Sequence, residues 1–212
     1  MEKLSIAQFK KMLAKAAFNI EAAKDELTEL DSQIGDGDHG TTMVKVMNKI
    51  SGTAEAYSGN DFKTLLSEIG MSVLNMGGGA TVPLFGSLFS GMSRAVAEGT
   101  EQLSKDELSE AFKSGEARLL KFSKAPLGAK TLVDSLTPAV AAFDAFEGCD
   151  IADALEAARL AAHEGCMKTK DYVAHFGRAK NLGERAIGIP DPGSVSVSII
   201  FKAFAQSAQE VE

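Results

Sequence analysis

Apolar residues recur along this chain at steps of three and four. Ile6, Phe9, Met12, Leu13, Ala16, Ala17, Ile20 and Ala23 form the first such stripe, with lysines and glutamates between them, which is the spacing of one buried helical face. A second stripe, Phe62, Leu65, Leu66, Ile69 and Val73, follows Asp61, a residue suited to an N-cap. Ser104 and Glu107 have the spacing of a capping box and precede Leu108, Ala111, Phe112 and Leu119. Asp150 heads a further stripe through Ile151, Ala154, Leu155, Ala158 and Ala162, and the alanine density there favours closely packed helices. Glycine and proline cluster at residues 35–40, 77–83, 125–128 and 188–193, which places loops at those positions. Residues 195–200 alternate like a strand, but Asp191-Pro192-Gly193-Ser194 before them suits a helix start. With no second strand pattern to pair with, that segment is assigned to a helix. No linker, repeat or low-complexity stretch divides the sequence. The pattern therefore predicts one all-α domain over residues 1–212, of about eight helices, with its glycine loops available for function.

Composition narrows the function classes. Hydrophobic residues make up 45% and charged residues 24% of the chain, as in a soluble globular domain. The net charge of −7 leaves no basic patch for a phosphate backbone, so nucleic acid is not an expected direct partner. An acidic protein that holds a polyanion needs metal ions or helix N-termini to do so. Cys149 and Cys166 form no disulfide framework and read as free thiols. The first nine residues lack the apolar run of a signal peptide, and no stretch reaches the ~20 apolar residues of a membrane helix. The expected compartment is the cytoplasm, with no membrane partner.

The sharpest chemical feature is Asp31-Ser32-Gln33-Ile34-Gly35-Asp36-Gly37-Asp38-His39-Gly40. Hard cations such as Mg2+ take oxygen ligands and combine a few carboxylates with substrate phosphates and water. The glycines let Asp31, Asp36 and Asp38 converge, and amides at a following helix start could meet phosphate. An EF-hand loop is excluded, because the twelfth position counted from Asp31 or Asp36 is Thr42 or Met47. An Asp/Gly turn without metal is the plain rival. Met76-Gly77-Gly78-Gly79-Ala80-Thr81-Val82-Pro83 is a glycine-rich run before a helix that could cradle phosphate or ribose, or simply permit a tight connection; it lacks the Lys-Ser/Thr of a Walker A loop. Residues 177–193 carry Arg178, Lys180 and Arg185 ahead of an Asp-Pro-Gly turn, and arginine suits phosphate; a solvated basic loop is the alternative. Gly128-Ala129-Lys130-Thr131 with Asp134 is a weaker candidate. Of the histidines, His39 belongs to the acidic loop, His163 and Cys166 are too few for zinc, and His175 has no assignable role.

Taken together and in order, these four segments resemble the L subunit, or C-terminal L domain, of dihydroxyacetone kinases. The resemblance rests on residues 30–40, Gly78-Gly79 with Pro83-Leu84-Phe85-Gly86, Gly128-Ala129-Lys130-Thr131 with Asp134, and Gly177-Arg178 through Leu182-Gly183-Glu184-Arg185 to Asp191-Pro192-Gly193. It implies a barrel of antiparallel helices with an apolar interior pocket and a nucleotide site, for ADP or ATP, at one end. It implies two Mg2+ ions on Asp31, Asp36 and Asp38, with His39, Gly40, Thr41 and Thr42 lining the phosphates. Gly79, Ala80 and Thr81 match a nucleotide-contacting loop, Ser123 and Leu132 fall at the base region, and Arg178 with Asp191, Pro192 and Gly193 matches the closing segment, Arg178 in a catalytic role. Thr81-Val82 departs from the usual Ser-Gly, an aromatic common near Asn181 is missing, and Ile189-Pro190 replaces a more polar pair.

The same resemblance implies phosphoryl transfer to a keto-sugar held on a separate K subunit, so the chain alone is expected to be inactive. The phosphoryl source is open between two forms. In one, resident ADP is rephosphorylated by the phosphohistidine of a phosphotransferase-system M subunit; in the other, an ATP-dependent kinase acts on dihydroxyacetone or erythrulose with exchanging nucleotide. The alternative of a different class is a regulatory binding module that docks on a transcription regulator; a homodimer is a further expectation.

Overall fold

The computed structural model describes residues 1–210. Its first helix, α1 (Ile6–Ala22), starts where Ser5 and Gln8 cap one another reciprocally, Gln8 N–H donating to Ser5 Oγ at 3.3 Å and Ser5 N–H to Gln8 Oε1 at 2.8 Å. α2 (Lys24–Ile34) follows directly after Ala23, so the first apolar stripe ends in a change of direction rather than a loop. α3 (His39–Ala56), α4 (Phe62–Leu74), α5 (Thr81–Ala95), α6 (Lys105–Ser123), α7 (Val133–Ala145), α8 (Ile151–Lys168) and α9 (Pro192–Gln209) complete the helices. The caps read from the sequence are in place. Asp61 accepts from Lys63 and Thr64 N–H, Ser104 and Glu107 close a capping box, and Asp150 accepts from Ala152 and Asp153 N–H. Residues 195–200 lie within α9, whose start joins an Asp191 cap to a proline in the first turn.

Eight of these helices form a closed ring. α3 packs on α4, α4 on α5, and so on to α9, which returns to α1, while α1 packs on α3. α2 stands outside the ring as an arm against α3 and α9. The interior is aromatic and aliphatic. Phe112 meets Phe143 edge-on at a centroid distance of 5.1 Å and Phe201 at 6.0 Å, and Phe201 meets Phe204 at 6.2 Å. Phe112, Phe201 and Phe204, with Phe85, Phe89, Leu136 and Val140, leave an apolar internal cavity of about 50 Å³. Each fully buried Phe, Leu or Ile contributes roughly 1.5–3 kcal/mol of transfer free energy, so this interior holds the ring together.

Small residues set the helix spacing. A Cβ placed on Gly165 of α8 would stand 2.0 Å from the backbone carbonyl of Asp134 on α7, so these two helices touch backbone to side. Cys166 beside it is buried, and burial pushes its thiol up to about 11, while Cys149 is exposed; both are free.

One feature lay outside the pattern. Residues Lys3–Ser5 (β1) and Gln102–Ser104 (β2) pair antiparallel, Leu4 opposite Leu103. The ribbon feeds two capping serines, Ser5 and Ser104, into α1 and α6 at the end of the ring where Ile151 N–H of α8 donates to Met1 O at 2.9 Å. Among the described residues no helix is long and apolar enough to cross a membrane.

Candidate functional site

At the other end of the ring lies a cleft of about 370 Å³, within the range of small-molecule sites. Antiparallel order brings four helix N-termini to it. α3 contributes His39 and Thr42, α5 contributes Thr81, Pro83 and Leu84, the α7 start contributes Thr131 and Leu132, and α9 contributes Pro192 and Gly193. Each N-terminus brings the positive end of a helix dipole to the cleft, so this wall favours an anion.

The facing wall is acidic. Asp31 sits in the last turn of α2, at the negative end of that helix, where a carboxylate is unfavourable unless a cation accompanies it. Asp36 and Asp38 follow in the loop, and one carboxylate oxygen from each of the three lies within 4.8 Å of the others. Two glycines make this possible. A Cβ at Gly35 would stand 2.1 Å from Asp31 Oδ1, and Gly37 takes a φ of +74°, which L residues rarely adopt. Asp31 Oδ2 accepts from the N–H groups of Asp38 at 2.9 Å and His39 at 3.1 Å. Asp31 thereby caps α3 from a distance, and the Asp38 side chain makes no cap hydrogen bond of its own. Oxygen donors of this type, number and spacing fit a hard divalent cation.

His39 links two of the N-termini. Its Nε2 lies 2.9 Å from Ser196 Oγ of α9, which in turn donates to Pro192 O at 3.1 Å. Burial outweighs Asp31 and Asp38 and holds His39 below its ordinary range, a neutral ring at neutral pH. Arg178 reaches across the mouth to Asp36, Nη1 to Oδ2 at 2.6 Å.

Asp191 caps α9, accepting from Ser194 N–H at 2.7 Å, and its own N–H donates to Thr169 Oγ1 at 2.9 Å. Burial, with Asp134 and Asp31 nearby, pushes its carboxyl up to about 7 despite the neighbouring Lys130. The folded chain thus holds this proton more tightly than the unfolded chain, and its stability is lost as pH rises through that range. Asp191→Asn keeps the capping oxygen and removes the charge. In urea unfolding with EDTA and without nucleotide, the variant should gain on the parent by roughly 2–4 kcal/mol between pH 4 and pH 8. A difference that stays flat over that interval would contradict it.

Of the residues marked from the sequence, Asp31, Asp36, Asp38, His39, Thr42, Gly79, Ala80, Thr81, Ser123, Leu132, Arg178, Asp191, Pro192 and Gly193 line the one cleft. Gly40 and Thr41 do not. Gly40 faces α2, where a Cβ would meet Lys24 O at 2.2 Å, and Thr41 is exposed. Phe122, Phe176 and Lys130 line the cleft without having been singled out as contacts. Each adjoins a residue that was: Ser123, Gly177-Arg178 and Thr131-Leu132. Lys130 is 1% exposed, and its ammonium donates to Thr169 O at 2.5 Å and Ile189 O at 2.6 Å.

The DAK2 domain model matches residues 33–206. The chain is 33% identical over 209 residues to the PEP-dependent dihydroxyacetone kinase, ADP-binding subunit DhaL, of Escherichia coli strain K12, covering 98% of this chain and 99% of that one. It is 37% identical over 195 residues to the ADP-binding subunit DhaL of PEP-dependent dihydroxyacetone kinase 2 of Listeria innocua, covering 90% and 89%. The crystal structure of the C. freundii dihydroxyacetone kinase in complex with AMP-PNP and Mg2+ superposes with a TM-score of 0.74 at 25% identity, over 93% of this chain and 33% of that longer one. By domain match, near-full-length identity and shared architecture, the chain belongs to the DAK2-domain family of dihydroxyacetone kinase L subunits.

Proposed function

We propose that this chain is the nucleotide-binding subunit of a dihydroxyacetone-type kinase, holding ADP or ATP with two Mg2+ ions and passing a phosphoryl group to a keto-sugar carried by a separate K subunit. The observation that carries this reading is the opposition, across one cleft, of three convergent carboxylates and four helix N-termini. A nucleotide–metal pair is the ligand that answers both fields at once. Asp31, Asp36 and Asp38 would hold the ions, which would supply charge neutralisation to the phosphates. The starts of α3, α5, α7 and α9 turn their positive dipole ends to the phosphates, and Phe122, Leu132 and Phe176 offer apolar surface to the base. Phosphoryl transfer demands positioning and charge stabilisation more than covalent chemistry from the protein, and this cleft is built to supply both.

Relatives named as PEP-dependent and PTS-dependent favour ADP as a resident cofactor, rephosphorylated by a phosphohistidine-bearing M subunit. The chain purified without added nucleotide should then retain ADP and two Mg2+ in native mass spectrometry and lose both after EDTA. Reversible binding of ATP–Mg2+ to a chain that retains nothing would assign the ATP-dependent form instead. A chain that binds neither would remove the kinase reading.

Arg178 is the cationic side chain at the cleft mouth, and at 66% exposure its pairing with Asp36 adds little to folding. Its value lies in transition-state charge. With a K partner and sugar, Arg178→Ala should lower kcat about a hundredfold while nucleotide affinity falls less than about tenfold. Steady-state kinetics alongside equilibrium ADP binding read the two separately, and an equal fall in both would contradict the assignment.

A further inference from the structure

Residues 169–191 stand apart from the helical ring. They leave the end of α8, return at the start of α9, and contain three short 3-10 turns, Thr169–Asp171, Arg178–Asn181 and Gly183–Ala186. This strap brings Phe176 and Arg178 to the cleft. It has a small apolar cluster of its own, Ala174, Ala179 and Ala186 with half-buried Leu182 and Ile189, joined to the body through Ile34 beside Gly35 of the acidic loop. Three alanine methyls bury little area, so this cluster cannot fix the strap by itself.

The strap is fixed at its neck. The Lys130 ammonium binds the carbonyl of Thr169 at one end and of Ile189 at the other. Gly188 N–H donates to Lys170 O at 2.7 Å, and Asp191 N–H to Thr169 Oγ1, closing the same neck. Lys130 itself sits on a loop held from below, because Asp134 accepts from Gly128 N–H at 2.5 Å and Thr131 N–H at 2.8 Å. Its φ is +63°, a left-handed value uncommon for a lysine, and a buried ammonium is costly unless hydrogen-bonded. A strained backbone and a buried charge at one position persist where the surroundings over-determine them.

We propose that Lys130 is a positioning residue. By tying the two ends of the strap together, it sets the place of Arg178 over the cleft and the rate at which nucleotide leaves. The inference rests on the nucleotide reading given above. Lys130→Met keeps the length of the stem and removes the ammonium. Fluorescent methylanthraniloyl-ADP with Mg2+ is loaded on the parent, Lys130→Met, Arg178→Ala and the double variant, and its release is followed by stopped flow. Hydrogen exchange is measured on the same proteins without nucleotide.

Release from Lys130→Met should be about fivefold faster than from the parent, within the loss of affinity expected of Arg178→Ala. The double variant should release no faster than the faster single variant, because both changes act through one contact. Exchange should accelerate at residues 172–188 while α5 and α6 keep the parent's protection. Additive effects on release, or exchange that rises evenly along the chain, would overturn the proposal. Thr169→Val removes the Asp191 N–H contact at the same neck while both lysine bonds remain, and should speed release and exchange in the same direction but by less; it tests the neck should Lys130→Met not fold. If the parent binds no nucleotide analogue, the nucleotide reading fails, and unchanged exchange at residues 172–188 in both variants would separately overturn the clasp.

Discussion

Asp36→Asn should leave the fold intact and remove the activity. Asp36 is one of three carboxylates whose oxygens lie within 4.8 Å of one another, and it accepts none of the backbone N–H donors that Asp31 does. Losing one anionic ligand of a hard cation weakens the metal and, with it, the charge neutralisation on which phosphoryl transfer depends. Activity with a K partner should fall about a thousandfold, the equivalent of about 4 kcal/mol. Thermal stability in EDTA should move the other way or not at all, within about 1 kcal/mol, because one of three mutually repelling charges has gone and only an exposed ion pair to Arg178 is lost. Kinetics together with melting in EDTA test this. Retained activity would mean that Asp36 is no ligand, and a collapsed melting point would mean that the loop is held by Asp36 itself.

The second large effect concerns folding. Gly165→Ala puts a methyl 2.0 Å from the Asp134 carbonyl, and the obstacle is backbone that cannot rotate away. α7 and α8 must separate, at a cost of about 3 kcal/mol or more. In a chain of this length that lowers Tm by roughly 6–12 °C. Gly52→Ala is the matched control. Gly52 is exposed within α3, nothing lies within 4 Å of its would-be Cβ, and alanine there should stabilise by about 0.5–1 kcal/mol. Opposite signs from one substitution type would show that space decides the outcome. Asp134 also holds the loop that carries Lys130, so Gly165→Ala should loosen nucleotide retention from outside the cleft.

Most of the fold was legible because its signals are local. Caps such as Asp61, Ser104 with Glu107, and Asp150 act within three residues of themselves, and the apolar stripes they introduce repeat every turn. The acidic loop was legible for the same reason, since Asp31, Asp36 and Asp38 are near in sequence before they are near in space. The pairing of Leu4 with Leu103 was not. Strands of three residues show no period, and nothing near either one names a partner about a hundred positions away. The break at Ala23 was equally silent, because no glycine or proline marks it and α2 is turned by where it packs. Lys130 is the sharpest case. Its partners are backbone carbonyls 39 and 59 residues away, which carry no side-chain identity to read, and its motif looked like the weakest of four.

The opposed walls of the cleft also impose a thermodynamic rule. The carboxylates repel a bare polyphosphate, and the helix N-termini repel a bare dication, so each ligand screens the repulsion that works against the other. Reciprocity then requires that whatever factor Mg2+ adds to the affinity for nucleotide, nucleotide adds to the affinity for Mg2+. Free magnesium concentration and nucleotide occupancy become one coupled variable, and neither affinity has a single value until the other ligand's concentration is stated.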